Sequence, residues 1–108
     1  PAKLLYRDAQ GRDAAVNLPE TGSFLGRAVD CIIRTDDAMV SRKNCKISFI
    51  NARWYVEDLG SANGTMVNDT TIGEATTLQS GDRIMIGQVG FYFVADGKDL
   101  PPVQLEPR

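Results

Sequence analysis

No histidine occurs among the 108 residues. Histidine is the commonest general acid or base near neutral pH and a frequent zinc ligand, so most hydrolase and zinc-enzyme readings lose their main residue. Cysteine is almost as scarce. Cys31 and Cys45 have no His partner to activate a nucleophilic thiolate, and two are few for the disulfide framework of a small secreted domain. Both are expected as free, buried thiols. Apolar residues never run to the roughly 20 that cross a bilayer. Pro1, Ala2 and Lys3 lead directly into Leu4, Leu5 and Tyr6, without the basic and apolar regions of an export signal. The expectation is a cytoplasmic protein with no direct membrane insertion. An excess of positive charge is missing too: 12 basic residues stand against 14 acidic ones, a formal net charge of -2. That argues against non-specific nucleic-acid binding, which needs a broad positive face. Any anion site must be local.

A helical signature is also absent, since no stretch of ten residues carries a 3.6-residue period with caps. Instead, short apolar or β-branched runs alternate with turn clusters. The runs are Leu4 to Tyr6, Val16 to Leu18, Ser23 to Gly26, Cys31 to Ile33, Cys45 to Ile50, Trp54 to Glu57, Thr65 to Val67, Arg83 to Ile86 and Phe91 to Val94. Between them lie Asp8 to Arg12, Asn51 to Arg53, Gly60 to Gly64, Asn68 with Asp69, Ser80 to Asp82, and Gly87 to Gly90, all rich in turn formers. This rhythm predicts an all-β domain, a sandwich or barrel. Alternation sorts the faces: Cys45, Ile47 and Phe49 share one side and Lys46 and Ser48 the other, while Trp54 and Val56 oppose Tyr55 and Glu57. The chain length suits one domain, read as residues 1–96. From 97 to 108, Gly97, Pro101, Pro102 and Pro107 among charged residues suggest a linker or tail.

Three segments between the runs carry chemistry: Gly26-Arg27, Ser41-Arg42-Lys43-Asn44, and Gly60 to Thr65 followed by Val67-Asn68. Arg27 offers a planar donor fork for a phosphate or carboxylate. Ser41 offers a hydroxyl and a loop amide, and Asn63 a side-chain amide that donates and accepts. From Ala38 to Val56 the chain holds Arg42, Lys43, Lys46 and Arg53 and no acid, a local positive field on a domain acidic overall. Adjacent Asp36 and Asp37 diverge and lack a third ligand, so neither a metal nor another cofactor is expected.

In order and spacing these residues resemble the forkhead-associated (FHA) domain. The resemblance rests on Phe24-Leu25-Gly26-Arg27, Val40-Ser41-Arg42, Leu59-Gly60-Ser61-Ala62-Asn63-Gly64-Thr65, and Leu78 to Ile84 leading to Ile86-Gly87. It implies a β-sandwich of two mostly antiparallel sheets, with ligand loops at one end, that reads phosphothreonine on partner proteins and catalyses nothing. By that resemblance Arg27 and Ser41 grip the phosphate, Arg42 assists, and Asn63 bonds the peptide backbone. Lys43 and Ser61 are further candidates for the phosphopeptide site, while Gly26, Asn44, Gly64 and Asn68 are structural there. A Ser/Thr kinase is implied upstream. The chain departs from the family twice. Asn44 stands where a buried histidine is usual, removing a loop brace, and Ala62 stands where a hydroxyl residue is common, with Ser61 the nearest replacement.

The expected function is therefore a phosphothreonine-dependent adaptor within a larger bacterial-style signalling or secretion protein. Two alternatives stay open. Asn44 and Ala62 would suit a degenerate domain that recognises an unphosphorylated surface, and the Pro-rich tail is compatible with a structural or oligomerisation piece of a larger enzyme.

Overall fold

A computed structural model describes residues 1–97. The tail expected over 97–108 lies, from residue 98 onward, outside the described residues. Eleven strands form among the described residues: β1 (Lys3–Arg7), β2 (Asp13–Asn17), β3 (Ser23–Gly26), β4 (Ile33–Arg34), β5 (Cys45–Ile50), β6 (Arg53–Asp58), β7 (Met66–Val67), β8 (Thr70–Thr71), β9 (Thr76–Thr77), β10 (Arg83–Ile86) and β11 (Val89–Val94). They build a six-stranded sheet in the order β2-β1-β11-β10-β7-β8 and a five-stranded sheet in the order β4-β3-β5-β6-β9. All pairs are antiparallel except β3 with β4. The all-β sandwich expected from the sequence is thus the observed fold, and no helix among the described residues is long and apolar enough to cross a membrane.

Alternating side chains from both sheets meet in one core. Leu4, Leu25, Ile47, Val56, Ile84 and Phe93 are fully buried there, and Trp54 lies between Phe49 and Phe93 with ring centroids 4.8 and 6.2 Å apart. Cys31 and Cys45 are free and buried, and burial pushes the Cys45 thiol up to about 12.

Tight turns set the register. Ile50 pairs with Arg53 across Asn51 and Ala52, whose φ angles are 51° and 63°, and Val67 pairs with Thr70 across Asn68 and Asp69, at 49° and 68°. Two successive left-handed residues match the twist of hairpin strands. Asn and Asp adopt that conformation readily, whereas Ala52 does so at a cost of about 1 kcal/mol.

The structure departs from the sequence reading in short strands. The run Cys31 to Ile33 is strand only from Ile33, because the Cys31 amide closes a turn on Ala28 O at 3.1 Å. Strands β8 and β9 are two-residue threonine pairs, mostly exposed, and so carried no apolar signal.

Candidate functional site

One row of strand pairing gathers the three loop segments. Leu25 of β3 lies opposite Cys45 of β5, and Cys45 opposite Asp58 of β6. Neighbouring strands run in opposite senses, so the chain leaving β3, entering β5 and leaving β6 emerges at one end of the sandwich. Arg27, Ser41 to Asn44, and Leu59 to Thr65 are brought together there.

Backbone contacts come first. Arg27 N–H donates to Ser41 O (3.2 Å) and Ala28 N–H to Arg42 O (2.9 Å). This approach requires Gly26: a Cβ there would stand 2.2 Å from Arg42 O and 2.7 Å from Ser41 O, well inside van der Waals contact. Side chains then staple the loops. Arg27 Nε donates to Val40 O at 2.6 Å, which fixes the half-buried guanidinium while its terminal nitrogens pair with no carboxylate among the described residues. Ser41 Oγ accepts from Ala62 N–H at 3.0 Å, and its own proton goes to no acceptor among the described residues. Asn63 Nδ2 donates to Met39 O at 2.8 Å, leaving Oδ1 facing no donor among the described residues.

Asn44 supplies the brace that the sequence comparison with the family counted as lost. It is fully buried. Its Oδ1 accepts from Ser41 N–H (3.0 Å), and its Nδ2 donates to Gly64 O (3.1 Å) and Thr65 Oγ1 (3.0 Å). A side chain shorter than imidazole therefore spans both loops. One consequence corrects the sequence reading: the Ser41 amide is spent on Asn44, so the hydroxyl is what Ser41 offers a ligand.

The remaining candidates divide. Ser61 turns inward, its hydroxyl donating to Asp58 Oδ1 (2.5 Å) and accepting from Gly64 N–H (2.9 Å), so it braces its turn rather than replacing a hydroxyl at Ala62. Gly64 sits at φ 87°, a value Cβ-bearing residues rarely adopt. Arg42 is exposed. Lys43 pairs with Asp30 at 3.1 Å and stands 4.6 Å from the Phe24 ring centroid. Asn68 is distant in role: its Oδ1 accepts from Arg83 N–H and its Nδ2 donates to Asp82 Oδ1, both at 2.9 Å, holding the β7–β8 turn to β10.

Two carboxylates organise the loops: Asp58, which the sequence did not single out, and Asp37, which it noted only as a poor metal ligand. Burial pushes Asp58 up, but hydrogen bonds from the Ser61 and Thr65 hydroxyls and the Ser61 and Gly60 amides outweigh it and hold the group below the ordinary carboxylate value. Asp37 accepts from Gln88 N–H and Met39 N–H, both at 2.9 Å, and these two bonds lower its pKa. An Asp two residues before a Gly-Ser turn was the available signal for Asp58. For Asp37 no signal existed, because Gln88 is 51 residues away. Among the described residues no cluster of His, Cys, Asp or Glu suits a metal ion.

A family model for the FHA domain matches residues 24–87, which contain every candidate site residue. The chain belongs to the FHA family. Among the relatives of this FHA domain, the glycogen accumulation regulator GarA of Mycobacterium tuberculosis is 37% identical over 97 residues, covering 90% of this chain and 59% of that protein. The FHA domain-containing protein FhaB of the same species is 33% identical over 75 residues, 69% of this chain and 48% of that protein. The chain thus spans about half the length of these relatives. A solved structure from a study of phosphothreonine-dependent FHA domain interactions superposes with a TM-score of 0.75 at 28% identity, over 90% of this chain and 98% of that one.

Proposed function

We propose that this FHA domain binds phosphothreonine-containing segments of partner proteins, as a non-catalytic adaptor within a longer signalling protein of the cytoplasm, downstream of a Ser/Thr kinase. The observation that carries the reading is the state of two donors. Ser41 Oγ is held by Ala62 N–H with its own proton unspent, and the Arg27 guanidinium is anchored through Nε alone. Fixed donors beside one another suit a multiply charged oxyanion, because charge-assisted hydrogen bonds are the strong ones and a guanidinium can grip phosphate through two parallel bonds. In this reading Arg42 adds a second cation, and Asn63 Oδ1, which meets no donor among the described residues, accepts from the ligand backbone. The threonine preference is supported by the relative studied for phosphothreonine-dependent interactions.

One observation favours a second reading. Ala62 has no hydroxyl and that of Ser61 is spent on Asp58, so the ligand has one contact fewer, as a domain recognising an unphosphorylated surface would. A phosphopeptide library and the same library dephosphorylated, screened side by side, separate the two. Binding only before dephosphorylation supports the phosphothreonine reading, and equal binding to both supports the second.

A further inference from the structure

Among the described residues, three of the four sheet edges are short and one is long. Strands β4, β8 and β9, which end their sheets, have two residues each, and very short edge strands are a common guard against pairing with another chain. β2 ends the six-stranded sheet with five residues, Asp13–Asn17, in unbroken register with β1. It holds no lysine, no proline and no bulge, the other usual guards. Its one charge, Asp13, stands at the first position and pairs with Arg7 of β1 at 3.3 Å.

The ladder shows which backbone groups this edge presents. Leu18 N–H donates to Ala2 O and Asp8 N–H to Arg12 O, both at 2.8 Å, so positions 12 and 18 turn their backbone groups toward β1. These groups alternate sides along an antiparallel strand. Ala14 and Val16 therefore also turn toward β1, whereas Ala15 and Asn17 turn outward, where no strand lies among the described residues. Side chains alternate between the two faces. Ala14 and Val16 are half-buried on the core side, Val16 packing against the core, and Ala15 and Asn17 are exposed on the outer face.

We propose that β2 pairs with β2 of a second copy of this chain, antiparallel about a two-fold axis at Ala15, joining the two six-stranded sheets into one. That register uses every residue of the strand. Ala15 meets Ala15, so a small side chain lies on the axis and each Ala15 N–H meets the other's C=O. Ala14 meets Val16, apolar against apolar, and the half-buried Val16 is covered. Asn17 meets Asp13, an amide against a carboxylate rather than two like charges. The edge is thus complementary to itself, as a two-fold interface requires, and this is why the occupant is a second copy and not an unrelated chain. β2 starts beside the end of β1 that pairs with the start of β11, the end where Gln88 N–H meets Asp37 of the ligand loops. Antiparallel pairing then points the two candidate phosphate sites in opposite directions and leaves both open.

One pair of short strands buries little area, which puts the dimer in the weak class, with a dissociation constant of roughly 0.1–1 mM. Sedimentation equilibrium of the chain at concentrations up to about 1 mM should show the mean mass rising from the monomer toward its double and no further, because a two-fold contact closes on itself. Amide exchange followed by NMR should show Ala15 and Asn17 gaining protection as concentration rises. Ala15→Pro removes the outward N–H and no bond to β1, a place where an edge strand accepts proline. Ala15→Lys sets two ammonium groups on the axis. Both variants should stay monomeric where the parent associates and keep its cooperative melt; if Ala15→Pro does not fold, Ala15→Lys decides. A parent that stays monomeric, a mass that climbs past the dimer, or association that persists in a folded Ala15 variant overturns the proposal. So does protection of the Ala15 and Asn17 amides that is independent of concentration, the mark of an edge covered by another part of this chain. Added phosphothreonine peptide should leave the association unchanged, and a peptide that dissolves the dimer overturns the arrangement. The pairing needs no phosphate, so it stands or falls separately from the phosphothreonine reading.

Discussion

Replacing Asn44 with Ala removes a fully buried side chain that makes three hydrogen bonds, one within the 38–44 loop and two across to the 59–65 loop. The Thr65 hydroxyl keeps Asp58 as a partner, so two groups are stranded, Ser41 N–H and Gly64 C=O. Each unsatisfied buried group costs about 1–3 kcal/mol. Ser41 and Gly64 are only partly buried and water can reach them, which places both near the lower limit. With about 1 kcal/mol more for the void left behind, the loss is about 3–4 kcal/mol. In a domain of this size each kcal/mol moves the melting midpoint by about 4–8 °C, so a fall of about 12 °C or more is expected. Urea denaturation followed through Trp54, the single tryptophan and a buried one, should show a lower midpoint with an unchanged slope. Asn44→Asp is the companion. It keeps an acceptor for Ser41 N–H but turns a carboxylate on Gly64 O, and should be no more stable than the alanine variant. A loss under 1 kcal/mol for Asn44→Ala, or a tolerated Asp, would refute the role given to this side chain.

Gly26→Ala drives a Cβ into Arg42 O and Ser41 O; the strand must shift, and circular dichroism melts should report a loss of about 1–3 kcal/mol together with weakened phosphopeptide binding. Asp58 has its folded-state pKa below the unfolded one, so its contribution is fully present above the unfolded value near 4 and is lost as pH falls through the lower folded value. Asp58→Asn should flatten that acid limb in melts between pH 5 and 2, and an unchanged limb would contradict the assignment. With no histidine in the chain, the domain should titrate little between about pH 5 and 7, whereas the second ionisation of the ligand phosphate lies near 6. Affinity for a histidine-free phosphopeptide should then fall below that pH, approaching tenfold per unit, and a flat profile would show that the site ignores the dianion.

Much of this was legible in the sequence because strand alternation and turn chemistry are local. The faces of β5 and β6 follow from Cys45, Ile47, Trp54 and Val56 set against Lys46, Ser48, Tyr55 and Glu57, and the β7–β8 turn from Asn68-Asp69. The candidate loops were legible as ordered motifs. What the sequence withheld was the pairing across distance. Whether the Ser41 amide is free depends on Asn44 turning back upon it, and whether Ser61 faces a ligand depends on Asp58. The edge strands were hidden for another reason: Thr70-Thr71 and Thr76-Thr77 bury almost nothing, so no hydrophobic pattern marks them.

The central claim is that Arg27 and Ser41 hold a phosphate. Isothermal titration of one phosphothreonine peptide and its threonine counterpart, against the parent and Arg27→Ala, tests it most directly. Because the Arg27 side chain contributes only one hydrogen bond to the loop framework among the described residues and the backbone bond from Arg27 N–H to Ser41 O is kept, the variant should remain folded. Losing one partner of a desolvated charge pair costs on the order of 2–5 kcal/mol of binding. The account predicts that the parent binds only the phosphorylated peptide and that Arg27→Ala loses at least about 30-fold in affinity while still melting cooperatively. An Arg27→Ala domain that binds the phosphopeptide within a factor of two of the parent, or a parent that does not distinguish the two peptides, would contradict it.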